Sequence, residues 1–328
     1  MITITLYYSN PSDISGEITN TLEKLNPVVE HRVVKIDVNS DPALKAAFPL
    51  TPVLQIGPYR LETPISAQEI QVALFAAKDR KSQLQTSGDK DFHKRIERSE
   101  RLNGADRFGF WLSKHFMLLF NLIVMIYIGL PFLAPVFMKI GASGAAKVIY
   151  TIYSLLCHQL PFRSFFLFGE QPFYPRELAH ISGVLSYEQV TNQSVINLVE
   201  ARKFIGNDLM GFKMALCERD MAIYGAILLF GLIFSISSRK IKPLPWYLWI
   251  VLGLLPIGID GFSQLPGLLQ NHLPAWVVVR ESTPLLRVIT GGLFGFSTAW
   301  YVYPILQETM SETRMVLIKK IAAVNQES

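Results

Sequence analysis

The sequence predicts an α/β domain at the N-terminus followed by an all-α polytopic membrane domain. Of the 328 residues, 50% are hydrophobic and only 17% are charged, whereas soluble domains carry about 25% charged residues. The first 114 residues mix charges with short apolar alternations, and long uncharged runs begin only after Lys114. The chain is therefore expected to have a water-soluble part and a lipid-soluble part.

The N-terminal domain, residues 1–82, is predicted from its alternating strand and helix patterns. Ile2, Ile4 and Leu6 alternate with threonines, as in a buried strand, and residues 14–25 carry apolar side chains at helical spacing. The remaining predicted elements are strands at 33–38 and 52–56, a short helix at 41–48 and a closing helix at 67–77. This order describes a compact α/β unit.

Three segments of this domain resemble the glutaredoxin-like branch of the thioredoxin fold. They are residues 8–11 (YSNP), 35–38 (KIDV) and 51–53 (TPV), and the resemblance implies a cis proline at Pro52. The family's two-cysteine motif would fall at residues 13–16 (DISG), where no cysteine is present. Because thiol–disulfide exchange requires a thiolate, the domain is expected to be redox-inactive. It then serves as a docking module for a cytoplasmic protein or is a structural remnant.

Residues 83–114 are predicted to form a basic linker on the membrane surface. Residues 76–114 contain ten Lys or Arg against six Asp or Glu, directly before the first long apolar run. This bias is typical of the cytoplasmic flanks of membrane helices and favours contact with anionic lipids. Nucleic-acid binding is not predicted, because no basic stripe with interleaved aromatic residues is present. No basic, apolar leader precedes the first strand, so the N-terminus is expected in the cytoplasm.

The membrane domain, residues 115–307, is predicted to contain four transmembrane helices. They cover residues 115–138, 221–238, 244–264 and 285–307, each long enough for about 30 Å of hydrocarbon. A fifth apolar stretch, 145–168, is interrupted by polar residues and proline, and is predicted to be a re-entrant or interfacial helix.

The distribution of basic residues predicts the orientation of these helices in the cell membrane. Basic residues precede the first span, and others follow at 239–242 and in the tail, residues 308–328. The positive-inside rule places all three groups on the cytoplasmic side. Both termini are therefore expected in the cytoplasm.

Four polar clusters interrupt the apolar background, and the predicted topology places them at the outer face. They are CHQLPFRS at 157–164, CERD at 217–220, DGFSQ at 260–264 and REST at 280–283, with Arg287 one turn later. Charged side chains at membrane depth are costly unless they are paired or face a polar cavity. A single polar pocket is therefore expected.

These motifs together resemble the prokaryotic membrane family of unknown function numbered 2085. The resemblance covers about residues 150–305. Where the family commonly shows a C-x-x-C motif, this chain has Cys217 and Asp220, and it carries an apparent insertion at about 176–208. The family name implies no established activity.

Three interpretations are open for Cys157, His158, Cys217 and Asp220. As a set they are compatible with zinc, which accepts cysteine, histidine and carboxylate ligands. The two cysteines could instead form an external disulfide, or pack as small apolar side chains. Because adjacent residues of a helix point to different faces, joint ligation by Cys157 and His158 requires a turn before Pro161.

Two interpretations are open for the charged residues Asp260, Glu281, Arg163, Arg280 and Arg287. They could form an anion-binding or acid–base catalytic pocket, since arginine clasps phosphate and carboxylate groups bidentately. They could equally be ion pairs that lock the helix ends together, and Arg219 is available for the same role.

The function predicted first is an accessory or assembly subunit with a cytoplasmic docking domain and an outward-facing polar site. One alternative is a membrane enzyme, zinc-dependent if the metal interpretation holds, that acts on a lipid-linked or anionic substrate. A transporter is the other alternative, although the charged residues gather at one face rather than along a path across the bilayer. Membrane lipids are the expected partners in every case.

Overall fold

The computed structural model describes residues 1–13, 16–86, 101–193, 196–268 and 279–325. The chain divides into two compact units, one formed by residues 1–115 with 308–328 and the other by residues 116–307. Parts of five predicted segments lie outside the described residues. These are positions 14 and 15 of the first helix, 87–100 of the linker, 194 and 195 of the insertion, 269–278 of the loop before the last span, and 326–328 of the tail.

The first unit is built on a four-stranded sheet in the order β2-β1-β3-β4. Its elements are β1 (Ile2–Tyr8), α1 (Glu17–Leu25), β2 (His31–Asp37), α2 (Pro42–Ala47), β3 (Val53–Ile56), β4 (Tyr59–Glu62) and α3 (Ala67–Thr86). Strand β1 pairs in parallel with β2 and antiparallel with β3. Because successive side chains of a strand point to opposite faces, Ile4 and Leu6 pack towards α1 and α3, whereas Tyr7 lies in the core of the other face.

Local sequence explains the ends of these elements. Asp41 caps α2 by accepting a hydrogen bond from the Ala43 amide at 2.8 Å, and Pro42 fits the first helical turn, where no backbone donor is needed. Gly57, at φ +57°, allows the tight turn from β3 into β4. The Thr51–Pro52 peptide bond is cis, as the family resemblance implies.

The C-terminal segment, predicted as a tail without an assigned secondary structure, is helical. It continues the last helix to Asn325, and Met315, Ile318 and Ala322 pack on the second face of the sheet. An ion pair joins Arg314 Nε to Asp41 Oδ1 at 3.2 Å. This part of the chain is therefore integral to the first unit.

The described residues contain three helices long and apolar enough to cross a membrane. They are α4 (Gly104–Lys139), α8 (Glu218–Ile236) and α11 (Pro284–Asn325). The predicted span at 244–264 forms a shorter helix, α9 (Trp246–Phe262), which opens into a π-helical turn at Ile250–Leu254. Pro256 follows that turn, and its ring removes one backbone hydrogen bond. At 1.5 Å per residue α9 is about 26 Å long, so the structure supports three of the four predicted spans by length.

The predicted helix at 145–168 is wrong in its second half. Helix α5 covers Ser143–Tyr153, and the chain then leaves helical geometry, with Gln159 at φ +52° and a short turn at Pro161–Arg163. Its proline and the polar residues before it favour a loop over a helix. That loop carries several of the predicted site residues.

The second unit also departs from the expected all-α class. It contains a small antiparallel sheet in the order β5-β7-β6. The elements of this region are β5 (Phe166–Leu167), α6 (Tyr187–Thr191), α7 (Leu198–Lys203), β6 (Gly206–Asn207) and β7 (Gly211–Lys213). Gly211 must be a glycine, since a Cβ there would lie 2.2 Å from the Leu167 carbonyl oxygen. A short helix α10 (Leu265–Leu268) follows α9.

Candidate functional site

The polar side chains gather at one end of the helices of the second unit. Cys217 caps the start of α8, Asp260 lies in the last turn of α9, and Arg287 lies in the first turn of α11. The loop after α5 adds Arg163 to the same group, because its guanidinium reaches Glu281. The structure therefore brings together residues from all four polar clusters of the sequence.

Asp260 is the centre of the first charge network. Its side chain is 3% exposed and forms an ion pair with Arg219 of α8. Ser282 Oγ donates to Asp260 Oδ2 at 3.0 Å, and Arg280 approaches Oδ1 at 3.5 Å. Gln264 Nε2 donates to the Asp260 carbonyl oxygen at 2.6 Å. Every described contact of this carboxylate is thus with a donor that holds it in place.

Glu281 is the centre of the second network. Arg163 binds it bidentately, from Nε at 2.8 Å and from Nη2 at 3.0 Å. Arg287 also pairs with Glu281, and its Nη1 lies 2.9 Å from Oε2 of Glu218. The same Nη1 donates to the carbonyl oxygen of Phe162 at 3.3 Å. Glu218 was not singled out from the sequence, although it directly follows Cys217.

The pairing separates the predicted catalytic residues into two groups. Arg163 and Arg287 lie in the wall of a cavity, whereas Asp260, Glu281 and Arg280 are absent from its described lining. Both carboxylates are nearly inaccessible and are bound by two arginines each. Because arginines enclose both carboxylates, neither offers an accessible oxygen to a substrate. Their geometry therefore favours a structural role over acid–base chemistry.

The cysteines lie beside this charge network. A donor atom from each of Cys157, Cys217 and Asp220 lies within 4.8 Å of the other two. His158, the fourth predicted ligand, is exposed and lies outside that group. No disulfide joins the two sulfurs, and both thiols are free. The structure thus brings three of the four predicted metal ligands together.

The two thiols differ in acidity because they share a hydrogen bond. The hydrogen bond from Cys217 lowers the pKa of the Cys157 thiol, against the opposing effect of burial. The same hydrogen bond, together with burial, raises the pKa of the Cys217 thiol well above its usual value. Cys157 is therefore the first of the two to become a thiolate, which is the form that binds metals.

The cysteine cluster lies in the wall of a cavity of about 610 Å³, a size typical of small-molecule sites. The described lining residues comprise polar and apolar groups, which are Leu156, Cys157, His158, Gln159, Leu160, Arg163, Leu198, Val199, Arg202, Cys217, Arg219, Asp220, Gln264 and Arg287.

Buried hydrogen bonds fix the backbone around this cavity. The Lys213 ammonium donates to the carbonyl oxygens of Gln159 at 2.6 Å and Arg202 at 2.9 Å. Gln159 donates in turn to the carbonyl oxygens of Tyr150 and Ala215. Burial lowers the pKa of Lys213 to about 7. The sequence offered no signal for Lys213, because a single lysine in a short strand has no pattern.

Several buried polar atoms in the cavity wall have no hydrogen-bond partner among the described residues. They include Nε of Arg219, Nε of Arg287 and Oε1 of Gln264. An unpaired buried donor costs about 1–3 kcal/mol, so such atoms usually meet water or a ligand. Two guanidinium donors in one cavity wall are suited to an anion.

Comparisons with known proteins agree with a membrane location and leave the activity open. Residues 199–301 match the family described as a predicted membrane protein (DUF2085). The chain is 29% identical over 206 residues to an uncharacterized protein of Methanocaldococcus jannaschii, an alignment that covers 60% of this chain and 96% of that relative. No solved structure matches. Together with the three apolar helices, the family match supports a membrane protein of unknown function.

Proposed function

We propose that this chain is a polytopic cell-membrane enzyme whose helical unit uses a metal ion to act on an anionic substrate. The observation that carries the proposal is the position of Cys157, Cys217 and Asp220. Their donor atoms lie within 4.8 Å of one another, and all three residues line the same cavity. A cluster that faces a cavity can present a bound ion to a substrate, whereas a packing seam cannot.

The ligand types favour zinc. Two thiolates and one carboxylate are ordinary zinc ligands, and three protein ligands with one open position are typical of catalytic zinc sites. An ion held by these residues would polarise water or a substrate oxygen. The backbone also orients one ligand, because the Asp220 amide donates to Cys217 Sγ at 3.5 Å and fixes the start of α8.

The charges around the cavity favour an anionic substrate. The network contains four guanidinium groups and three carboxylates, those of Glu218, Asp260 and Glu281. One positive charge is therefore in excess. Arg202, also in the cavity wall, adds a second positive charge, and Asp220 in the same wall offsets one, so the excess around the cavity is one. The Arg202 guanidinium has no carboxylate partner among the described residues and donates to the carbonyl oxygen of Ser154.

The orientation proposed for this site is the outer face of the cell membrane. Basic residues at 239–242 follow α8, and the cavity residues lie at the opposite end of that helix. The positive-inside rule then places the cavity outside and both termini in the cytoplasm. Both termini lie on the same side only if the number of crossings is even. Counting α9 as a short, broken span gives four crossings and meets this requirement.

The first unit is proposed to be a redox-inactive thioredoxin-like domain that docks a cytoplasmic protein. Its support is the sheet order β2-β1-β3-β4, with β3 antiparallel to β1 and helices between the strands. Asp13 occupies the first position of the missing cysteine motif. Its carboxylate accepts hydrogen bonds from the Ser9 amide at 3.0 Å and the Thr51 hydroxyl at 2.9 Å.

An accessory or assembly subunit is the second candidate function. The observation that favours it is the pairing of Asp260 and Glu281, each bound by two arginines. Under this alternative the network only locks the helix ends, and the cysteines pack without metal.

Metal content and free thiols, measured on the detergent-purified full chain, separate these candidates. We expect about one zinc per chain in the wild type, lost in Cys157→Ser, Cys217→Ser and Asp220→Asn. The matched control is His158→Ala. His158 lines the same cavity but lies outside the ligand cluster, so this variant should retain the metal. Two free thiols without metal would contradict the enzyme proposal and leave packing, and the absence of both metal and free thiols would establish a disulfide.

A further inference from the structure

The cavity combines a cationic wall with an exposed aliphatic wall. Arg163, Arg202 and Arg219 contribute guanidinium groups. Leu156 and Val199, which line the same cavity, are 61% and 64% exposed. A small soluble anion would cover only the cationic wall.

From this arrangement we propose that the ligand of the cavity is an amphiphile with a phosphate-bearing headgroup and a hydrocarbon chain. The inference deepens the proposed function and rests on it in one respect, namely that the cavity is where substrate meets the metal. Its headgroup is placed at the arginines, and its chain lies over Leu156, Leu198 and Val199.

The unused guanidinium donors determine the place of the headgroup. Nε of Arg219 and Nε of Arg287 are buried without a partner among the described residues. Arg202 donates to the backbone carbonyl oxygen of Ser154 and forms no ion pair among the described residues. A phosphate group has several acceptor oxygens and can satisfy more than one arginine at once. A zwitterionic headgroup would bring its own cation and leave the excess positive charge unmatched.

The aliphatic wall determines the place of the chain. Leu198 and Val199 open α7, and Leu156 lies in the loop after α5. Leu155, beside it, is 86% exposed, so the apolar surface extends beyond the cavity. Covering such surface is favourable by about 25 cal/mol per Å². A hydrocarbon chain from the bilayer can do this without leaving its apolar surroundings.

Binding of three probes to the purified full chain tests the inference. They are a phosphatidic acid with eight-carbon chains, a phosphatidylcholine with the same chains, and inorganic phosphate. Native mass spectrometry gives the bound fraction of each. We expect the phosphatidic acid to bind at least tenfold more tightly than either of the others.

Two variants with matched controls separate the headgroup from the chain. Arg202→Gln should weaken phosphatidic acid binding about tenfold, as expected for a hydrogen bond to a charged group. Lys203→Gln changes the neighbouring exposed cation, which lies outside the described lining, and should leave binding unchanged. Val199→Ser should weaken phosphatidic acid binding several-fold without affecting inorganic phosphate. Val148→Ser, on an exposed valine of α5 away from the cavity, should have no effect.

Two outcomes would overturn the inference. Equal affinity for inorganic phosphate and phosphatidic acid, together with unchanged phosphatidic acid binding in Val199→Ser, would identify a soluble-anion site. Equal affinity for the two lipids, together with unchanged lipid binding in Arg202→Gln, would identify non-specific lipid adsorption. Repeating the titration after treatment with a chelator separates this inference from the metal proposal. Lipid binding by a protein that never holds metal would refute the proposed function alone, whereas a zinc protein without lipid binding would refute the inference alone.

Discussion

Replacing Arg287 with methionine should destabilise the second unit more than any other single loss of an arginine in the network. Its side chain is 2% exposed and joins Glu218, at 2.9 Å, to Glu281. Methionine keeps much of the volume and removes the charge. Glu281 would retain its bidentate bond to Arg163, whereas Glu218 would lose the one ion pair described for it.

The expected cost follows from that stranded carboxylate. Removing one partner of a buried ion pair costs about 3–5 kcal/mol. A unit of this size loses about 2–4 °C of its unfolding midpoint per kcal/mol, so the midpoint should fall by roughly 6–20 °C. Adding Glu218→Gln to Arg287→Met removes the stranded charge, and the double variant should recover part of that loss.

Tryptophan fluorescence during heating of the detergent-solubilised protein measures the midpoint. The matched control is Arg280→Met, whose side chain is 41% exposed and approaches Asp260 at 3.5 Å. Exposed pairs contribute about 0–1 kcal/mol, so this midpoint should fall by less than about 4 °C. An Arg287→Met protein that unfolds within this same range would refute the reasoning, as would a double variant no more stable than the single one.

Three further predictions concern packing, pH and the first unit. Gly295→Ala should lower the midpoint by several degrees, because the new Cβ would lie 2.1 Å from a backbone oxygen of α8, whereas Gly292→Ala, with nothing within 4 Å, should not. Burial lowers the pKa of Lys213 to about 7 in the folded protein. Between pH 7 and 9 this side chain therefore binds more protons in the unfolded chain than in the folded one. Wild-type stability should therefore rise with pH relative to Lys213→Met, by on the order of 1 kcal/mol per pH unit, and a pH-independent difference would contradict this. Arg314→Met leaves Asp41 without the ion pair seen at 3.2 Å and should speed proteolysis of residues 308–325; a cleavage rate equal to the wild type's would show that the pair does not hold this segment.

Local patterns predicted the elements whose apolar periodicity is strong and missed those whose signal is weak. Strand β4 escaped prediction because Tyr59–Glu62 is only four residues long and mostly exposed. The helical end of the chain could have been found, since Met315, Ile318 and Ala322 recur at intervals of three and four residues and no glycine or proline follows Pro304 before Asn325.

Part of the composition of the candidate site could be predicted from sequence, without Glu218 and Lys213, whereas its pairing could not. Motif spacing placed Asp260, Glu281 and Arg287 near helix ends, and antiparallel helices bring such ends together. The choice of Arg219 for Asp260 and of Arg163 for Glu281 depends on how the helices rotate about their axes, which composition does not determine. The position of the cavity depended on the loop after α5, where helical periodicity fails.

The charge network is best explained by its effect on the cavity rather than by its own stability. Buried ion pairs usually stabilise a fold no more than apolar side chains of equal volume, so four arginines and three carboxylates are an unfavourable way to lock helices. They do, however, hold Arg219 and Arg287 rigidly, each with one buried donor unused. Rigid donors bind an anion without losing side-chain entropy at the moment of binding. Asp260 and Glu281 would then act as positioning residues, so replacing them should weaken anion binding even though neither lies in the described cavity wall.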